Sequence, residues 1–474
     1  MTWSVLCTDV LEGLAALPSD SVQCVVTSPP YWGLRDYSIP PTRWADGTVC
    51  CLGLEPTPHA FVEHLVEVFD GVRRVLRADG VCWVNLGDTY AGGRRGPEGD
   101  HSNLAGTRNN QAESRKVEIS KRVDGVPDTN LLGIPWRFAL AAQSAGWFLR
   151  QNVIWHKSNP FPETITSPRW ERCRRQVGGG WQGDHPSKRP EGASRSGCFG
   201  SSGGTVDSPG AATWEPCPGC SSCEPNDGFV LRRGSWRPTT AHEHLFMLTN
   251  SSDYFGCGES VREPLSPKTR TVKTTPRKGE GVESRGEALN AWMESQGGRY
   301  HPNGRNLRSV WQISTQPFSG AHFATFPERL VEPCILSSTP EAGCCSSCGT
   351  PWLPIIERRP GAGKRKPAHV PGTQGSRTSS TGWRSTFGGV QGHRPACDCD
   401  APARPSLVLD PFAGSGTTGL VALRLGRSFL GLERSLAYCS MARDRIGEAD
   451  PNVRLSKPAE LAPISGPLFE EGAA

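Results

Sequence analysis

Two short motifs near opposite ends of the chain carry residue types that could bind a cofactor and a flat polar substrate. The later motif, residues 410–416 (DPFAGSG), follows an apolar run and continues as G-x-G-x-x-G to Gly419. Glycines permit a tight turn close to a ligand, and Glu433, 19 residues after Gly414, could hydrogen-bond a ribose. This pattern alone favours NAD as much as any other adenosine cofactor. Asp410 favours a cofactor with a cationic sulfonium, because its carboxylate would repel a pyrophosphate.

The earlier motif, residues 27–32 (TSPPYW), is suited to a planar heterocycle with an exocyclic amino group. Pro29 and Pro30 have fixed φ values and no N–H, so the loop presents carbonyl oxygens. Ser28 adds a hydroxyl, and Tyr31 and Trp32 are expected to add planar faces. Such acceptors would hold the amino hydrogens and draw the nitrogen lone pair out of conjugation while the ring stacks on an aromatic face. The alternative is a rigid Pro-Pro turn beside a buried aromatic; the cofactor motif elsewhere in the chain favours the chemical role.

The elements around the motifs predict an α/β fold. Each motif follows a predicted buried parallel strand, 22–27 or 406–409, and ligands of open α/β sheets lie beyond the carboxyl ends of the strands. We therefore expect both motifs to face one crevice. Further strands are predicted at 5–8, 81–86, 147–156, 244–249 and 429–433, and helices at 59–76, 134–145, 326–336, up to 425 after the glycines, and up to about 446. Pro333 should kink or shorten the third of these helices.

Composition narrows the class of protein. The chain has 474 residues, a formal net charge of +5 and 18 cysteines. No apolar run approaches the ~20 residues that span a bilayer, and no signal peptide is visible, so we expect a cytoplasmic protein with no membrane partner. In that compartment the cysteines should bind metal or stay free instead of forming disulfides.

With both motifs in view, the chain resembles the S-adenosylmethionine-dependent DNA amino-methyltransferases of the β arrangement, in which the target-base motif precedes the cofactor motif. The resemblance covers about 1–160 and 300–450 and implies a doubly wound, Rossmann-like methyltransferase sheet with a permuted motif order. It implies double-stranded DNA as substrate, a base flipped out of the duplex, and direct methyl transfer to its amino nitrogen. Ser-Pro-Pro-Tyr usually accompanies N4-cytosine methylation in this family, which is favoured here; N6-adenine is the alternative. A cognate restriction enzyme is a candidate partner, and the oligomeric state is not predicted.

The resemblance also implies roles for individual residues. Segments 81–90, 131–141 and 151–162 resemble further motifs that flank the target base, and 322–327 (HFATFP) resembles the segment that closes over the cofactor. The expected cofactor-binding residues are Asp9, near the adenine, Asp410, Pro411, Phe412, Gly414, Gly416 and Glu433. The expected catalytic residues are Ser28, Pro29, Pro30 and Tyr31.

These roles divide the chain into segments. We expect the target-base half of the catalytic core in 1–162. The chain should return to the core in 307–342, and the cofactor-binding half of the core should follow in 401–450. Between them lie a target recognition region, 163–306, and a cysteine-rich, zinc-ribbon-like insertion, 343–400, with a poorly ordered tract. A loose tail follows in 451–474. Arginines among the tryptophans of 163–195 are expected to help choose the DNA sequence, whereas the basic stretch 90–127 is as readily a solvated loop as a DNA clamp.

Two groups of cysteines have zinc-ligand spacing. Cys345-x-x-Cys348 and Cys397-x-Cys399 predict a structural zinc site of four thiolates, in which Cys344 could replace Cys345. Cys217-x-x-Cys220-x-x-Cys223 forms a second candidate in the recognition region. Its fourth ligand is open among Cys173, Cys198, His242, His244 and Cys257.

Three other functions fit part of the pattern. The glycine motif fits an NAD-dependent oxidoreductase, and the cysteines and arginines fit a zinc-bearing DNA-binding protein whose catalytic fold has lapsed. A methyltransferase for glutamine in proteins is a weaker option, because that chemistry uses an Asn-Pro-Pro-Tyr site and Ser28 departs from it.

Overall fold

The computed structural model describes residues 2–92, 121, 123–160, 168–178, 213–232, 236–264, 304–316, 325–358 and 387–449. Several sequence predictions lie outside these residues, wholly or in part. They are most of the basic stretches 90–127 and 163–195, the candidate ligand Cys198, the first half of 322–327, the tract inside 343–400 and the tail after 450.

In the described part of the chain, an eight-stranded, mostly parallel sheet forms the centre of the protein. Its strands are β1 (Trp3–Cys7), β2 (Val22–Thr27), β3 (Leu76–Leu86), β4 (Phe148–His156), β5 (His242–Thr249), β6 (Val310–Gln312), β7 (Leu407–Asp410) and β8 (Ser428–Glu433). Their order in the sheet is β1-β8-β7-β2-β3-β5-β4-β6. Neighbouring strands are parallel except for β5, which is antiparallel to both β3 and β4. The α/β class and the Rossmann-like sheet predicted from the sequence are therefore confirmed.

Helices cover both faces of this sheet and enclose two apolar cores. On one face, Leu14, Phe61 and Phe138 from three helices pack together with the sheet. On the other face, Leu330, Val421 and Ile446 from the remaining three do the same. The helices, in chain order, are α1 (Val10–Ala16), α2 (Pro58–Val75), α3 (Ile134–Ser144), α4 (Glu328–Ser338), α5 (Thr417–Arg424) and α6 (Leu436–Ala449).

Local sequence explains where the helices begin and which side they bury. In α2 the Thr57 side chain accepts a hydrogen bond from the backbone N–H of Ala60, and Pro58 occupies the first turn, where it needs no N–H partner. Buried side chains recur at helical spacing along α2, which places its apolar stripe on the sheet.

Pro333 does not shorten α4 as the sequence predicted. The helix continues through it to Ser338, and Leu330, Val331 and Ile335 on either side are buried. Proline removes one backbone hydrogen bond from a helix interior. Here the burial of this apolar face offsets that cost, so packing overrides the local preference.

Five short antiparallel ribbons extend from the sheet. They pair Thr42–Arg43 with Val49–Cys50, Arg169–Arg172 with Phe229–Arg232, Arg174–Gly178 with Thr213–Pro216, Cys344–Cys345 with Ala403–Arg404, and Trp352–Arg358 with Phe387–Pro395. In the part of the chain that is described, every helix is too short or too polar to cross a membrane.

Candidate active site

The two motifs meet at the carboxyl ends of neighbouring parallel strands. Strand β7 pairs with β2 in parallel register, so Asp410 and Thr27 end side by side although 383 residues separate them. The Thr27 hydroxyl donates a 2.7 Å hydrogen bond to Asp410 Oδ1. The Thr418 hydroxyl, at the start of α5, lies 2.7 Å from Asp410 Oδ2 and 3.2 Å from the Val26 carbonyl oxygen. The two motifs therefore lie side by side at one edge of the sheet, as the sequence predicted.

Asp410 is held inside the protein by this contact. Its side chain is 1% exposed and accepts a third hydrogen bond from the backbone N–H of Phe412, at 3.1 Å. Burial raises the pKa of Asp410 from 3.8 to about 6, because desolvation outweighs the hydrogen bonds from Thr27, Thr418 and Phe412. The carboxylate therefore fixes the glycine turn against the target-base motif.

The glycine turn is tied to the end of the next strand by Glu433. The two carboxylate oxygens of Glu433 accept hydrogen bonds from the backbone N–H groups of Gly414, at 2.9 Å, and Ser435, at 2.8 Å. Desolvation raises the pKa of Glu433. Gly414 and Gly416 have φ values of +50° and +77°, a left-handed region that favours glycine. A Cβ on Gly419 would lie 2.6 Å from the Phe429 ring, so this glycine allows α5 to pack against β8.

Asp9 follows the neighbouring strand β1, at the same edge of the sheet as Glu433. Its Oδ1 accepts a hydrogen bond from the backbone N–H of Leu11 and caps α1. Its Oδ2 pairs with Arg434 and accepts a 2.6 Å hydrogen bond from the Thr42 hydroxyl. Asp9, Glu433 and Asp410 thus form a row of carboxylates at the ends of β1, β8 and β7.

Tyr31 lies in a polar network that the sequence did not predict. Its hydroxyl donates to Glu243 Oε2 at 2.7 Å and accepts from Asn85 Nδ2 at 2.9 Å, and the Ser28 hydroxyl lies 3.4 Å away. Asn85 Nδ2 also donates to Glu243 Oε2, at 2.7 Å, and Lys157 Nζ lies 2.5 Å from Glu243 Oε1. Burial, followed by the nearby Glu243 charge, raises the pKa of the Tyr31 hydroxyl well above 10, so it stays protonated.

The missed residues come from separate elements. Asn85 lies near the end of β3, Glu243 on β5, and Lys157 directly after β4. Asn85 and Lys157 lie within segments 81–90 and 151–162, which the family resemblance had placed beside the target base without singling out either residue. Nothing in the sequence signalled Glu243, because β5 reaches the site only by inserting between β3 and β4.

The backbone around Tyr31 leaves little free space. A Cβ on Gly87 would lie 2.7 Å from Tyr31 Cε2, and a Cβ on Gly53 would lie 3.0 Å from the Tyr31 carbonyl oxygen. Trp32 is 1% exposed, and its indole N–H donates to the Glu55 carbonyl oxygen at 2.9 Å. The expectation that Trp32 offers a face for stacking is therefore wrong, because its ring belongs to the core.

The network contains one acceptor without a partner. Asn85 is buried, and its Oδ1 atom has no hydrogen-bond partner among the described residues. A buried acceptor without a partner is costly unless a ligand supplies a donor. This atom shares its side chain with the amide nitrogen that holds Tyr31 and Glu243, so the pocket is suited to a ligand with an N–H group.

Pro29 is buried and Pro30 half-buried beside this network. In the cofactor motif, Pro411 is buried and Phe412 packs against the first core. Of the segment 322–327, residues 325–327 are described; Phe326 packs against the second core just before α4.

Both cysteine groups converge in space. The sulfur atoms of Cys345, Cys348, Cys397 and Cys399 all lie within 4.8 Å of one another. Cys344, the alternative ligand, is buried and directs its thiol to the Ser406 hydroxyl, 3.4 Å away. The other group contains Cys217, Cys220 and Cys223, and its fourth member is Cys173, again with all sulfur atoms within 4.8 Å.

Comparisons with known proteins place the chain among DNA methylases. A model of the DNA methylase family N6_N4_Mtase matches residues 22–345 and 403–444, which contain both motifs. The type II methyltransferase M.Cfr9I of Citrobacter freundii is 29% identical over 445 residues, covering 94% of this chain and 88% of that protein. M.SmaI of Serratia marcescens, also a type II methyltransferase, is 26% identical over 439 residues, covering 92% and 88%. Among solved structures, the cytosine-N4-specific PvuII DNA methyltransferase aligns over 96% of this chain and 89% of its own, with 15% identity and a TM-score of 0.41.

Proposed function

The chain belongs to the N6_N4_Mtase family of DNA methylases, and from this premise we propose that it methylates the N4 amino group of cytosine in duplex DNA, with S-adenosylmethionine as the methyl donor. The observation that carries the proposal is the contact between the two motifs, made by Thr27 and Asp410 at 2.7 Å. Ser28 in the first position of the target-base motif favours cytosine over adenine, by the family resemblance.

The cofactor would lie along the carboxylates at the ends of β1, β8 and β7. Glu433 is suited to the ribose hydroxyls, Asp9 would lie near the adenine, and the turn at Gly414, which Glu433 holds by a hydrogen bond, would lie beside the methionine part. This acidic rim suits a ligand that carries a sulfonium and an ammonium group. When bound, S-adenosylmethionine supplies an electrophilic methyl group.

The residues of the target-base motif would hold the amino group of a flipped cytosine. The Pro29 carbonyl, the Ser28 hydroxyl and the partnerless Asn85 Oδ1 are acceptors for its hydrogens. Accepting these hydrogens makes the nitrogen more nucleophilic. Glu243 holds the proton of the Tyr31 hydroxyl away from that nitrogen, since the hydroxyl donates to Glu243 Oε2.

Zinc is a further part of the proposal. Cys345, Cys348, Cys397 and Cys399 offer four thiolates at the base of the ribbon formed by Trp352–Arg358 and Phe387–Pro395. A closed site of four thiolates is typical of structural zinc.

Relatives named as type II methyltransferases support a restriction enzyme with the same recognition sequence as the partner of this chain.

The test is methyl transfer from labelled S-adenosylmethionine to genomic duplex DNA, followed by mass spectrometry of the released nucleosides. We expect N4-methylcytosine. N6-methyladenine in its place would overturn the choice of base, and unlabelled DNA or tight binding of NAD would overturn the proposed activity.

Two tyrosine variants test the assigned site. Tyr31→Phe removes the hydroxyl from the network and should slow transfer while the Kd for S-adenosylmethionine stays unchanged. Tyr254→Phe is the matched control, because the Tyr254 ring lies against the Arg150 guanidinium, 5.1 Å away. Equal turnover of the two variants would contradict the role of Tyr31.

A further inference from the structure

The second cysteine group lies where two short ribbons cross. Cys173 separates strand Arg169–Arg172 from strand Arg174–Gly178, and each strand pairs with a different partner. Cys217 follows one of those partners and Cys223 precedes the other. The backbone N–H of Cys173 donates to the Gly228 carbonyl, and that of Cys217 donates to the Cys173 carbonyl. We call residues 168–178 and 213–232 the crossed-ribbon module.

The sulfur positions match the geometry of a bound zinc ion. Zn–S bonds of about 2.3 Å in a tetrahedron place neighbouring sulfur atoms about 3.8 Å apart. The Sγ atoms of Cys220 and Cys223 are 3.5 Å apart, and those of Cys173 and Cys220 are 3.9 Å apart. None of the described cysteines forms a disulfide. A set of four thiolates in tetrahedral array selects zinc or iron.

The module lacks a core that could hold it together. Of its side chains whose burial is described, Cys223 is the one fully buried hydrophobic group. Two-stranded ribbons of four or five residues are marginally stable in water. A structural metal ion supplies the missing folding free energy in such small units.

Residues on either side of Cys173, together with the strand Phe229–Arg232, carry a surface suited to DNA. Trp170 and Leu231 are neighbours across the ribbon and are 55% and 51% exposed. Arg172, Arg174 and Arg175 lie exposed on the same stretch, and the Arg172 guanidinium covers the Phe229 ring at 5.1 Å. Arginine beside exposed aromatic side chains is typical of contacts with phosphates and bases.

We propose that Cys173, Cys217, Cys220 and Cys223 bind one zinc ion, and that this ion fixes the arginine-bearing segment 169–175 as a DNA-contacting element. The zinc site stands independently of the enzyme's activity, whereas the DNA contact rests on the proposed function. The proposal selects Cys173 as the fourth ligand over His242, His244 and Cys257.

Zinc content of the purified full-length chain tests the site. Zinc released by a mercurial reagent and measured with a colorimetric chelator should amount to two equivalents per chain, one from each cysteine group. Cys173→Ser should lose one equivalent, and the matched control Cys257→Ser should lose none. Equal zinc content in these two variants, or iron in place of zinc, would overturn the proposal.

DNA binding tests the role of the module. Replacing Arg174 and Arg175 with glutamine should weaken binding of duplex DNA at least tenfold and reduce the slope of log K against log[salt] by about one to two, the value for removing one or two phosphate contacts. The Kd for S-adenosylmethionine, which reports an intact core, should stay within twofold. Arg424→Gln, which removes a charge paired with Glu328 on another helix, is the control.

A failure of the proposed methyltransferase activity can be distinguished from a failure of the proposed DNA contact. If the chain proves to have another activity, the loss of zinc in Cys173→Ser would still hold and the DNA effect would disappear. Unchanged DNA affinity of the arginine variant in an active methyltransferase would refute the contact and leave the metal site standing.

Discussion

Replacing Glu243 with glutamine perturbs the hydrogen-bond network around Tyr31 with almost no change in side-chain volume. Glu243 Oε2 accepts from Tyr31 and Asn85, and Oε1 faces Lys157 at 2.5 Å. A glutamine has one amide oxygen and one NH₂ group. Whichever way the amide turns, either Lys157 or the Tyr31–Asn85 pair faces a donor in place of an acceptor.

The size of the effect follows from the hydrogen bonds that the amide cannot accept. A hydrogen bond to a charged group contributes about 1.5–3 kcal/mol. Since 1.36 kcal/mol corresponds to a tenfold change in rate, removing one such hydrogen bond should lower kcat about 10- to 150-fold. The KM for S-adenosylmethionine should change little, because the proposed cofactor residues lie at the ends of other strands.

Steady-state transfer of labelled methyl groups to duplex DNA provides the assay. Glu263→Gln is the matched control, since the Glu263 carboxylate pairs with Arg305 and Arg308. If Glu243 acts through Tyr31, the double variant Tyr31→Phe/Glu243→Gln should be no slower than the slower single variant. A kcat of Glu243→Gln within twofold of the control, or fully additive effects, would refute this reasoning.

Three other changes test the site and its supports. Burial raises the pKa of Asp410 from 3.8 to about 6, so the protonated carboxyl is favoured in the folded state; this stability is fully present below pH 3.8 and is lost as the pH rises through 6. Wild type should therefore lose about 2 kcal/mol relative to Asp410→Asn between pH 4 and pH 7 in urea unfolding, and a constant difference would contradict the buried charge. Gly87→Ala should lower kcat with unchanged cofactor binding because its Cβ would meet Tyr31 at 2.7 Å, whereas Gly392→Ala, with no atom within 4 Å, should be neutral; equal kcat values would refute that clash. Cys348→Ser should remove one zinc equivalent and lower the thermal midpoint, and full zinc occupancy in this variant would exclude the site.

Sequence patterns predicted the local parts of this fold and missed contacts set by strand order. Apolar runs located most strands of the sheet, including β2 and β7, and helical spacing located the long helices. Because ligands of open α/β sheets lie beyond the carboxyl ends of the strands, the sequence also predicted that the two motifs meet. The same patterns could not show that β5 lies between β3 and β4, which is why Glu243 was missed. They predicted that Pro333 would kink or shorten α4 and that Trp32 would be accessible. The helix is not shortened and Trp32 is buried, because the tertiary packing that decides both is not encoded in a local window.

The cysteine spacing likewise predicted the ligands that are close in sequence and did not identify the distant one. Cys217, Cys220 and Cys223 are close in sequence and were recognised as one group. The fourth member, Cys173, is 44 residues before Cys217 and was one of five candidates. Its selection depends on the backbone hydrogen bond between Cys217 and Cys173, a long-range contact.

The contact between Thr27 and Asp410 has a consequence for biosynthesis. It joins strand β2 to strand β7, which is synthesised 383 residues later. A nascent or prematurely terminated chain that ends before β7 has a target-base motif and no cofactor turn beside it. Modification of the genome would therefore begin only after translation has passed this point, and a separately produced carboxyl-terminal fragment should restore activity only by docking beside β2.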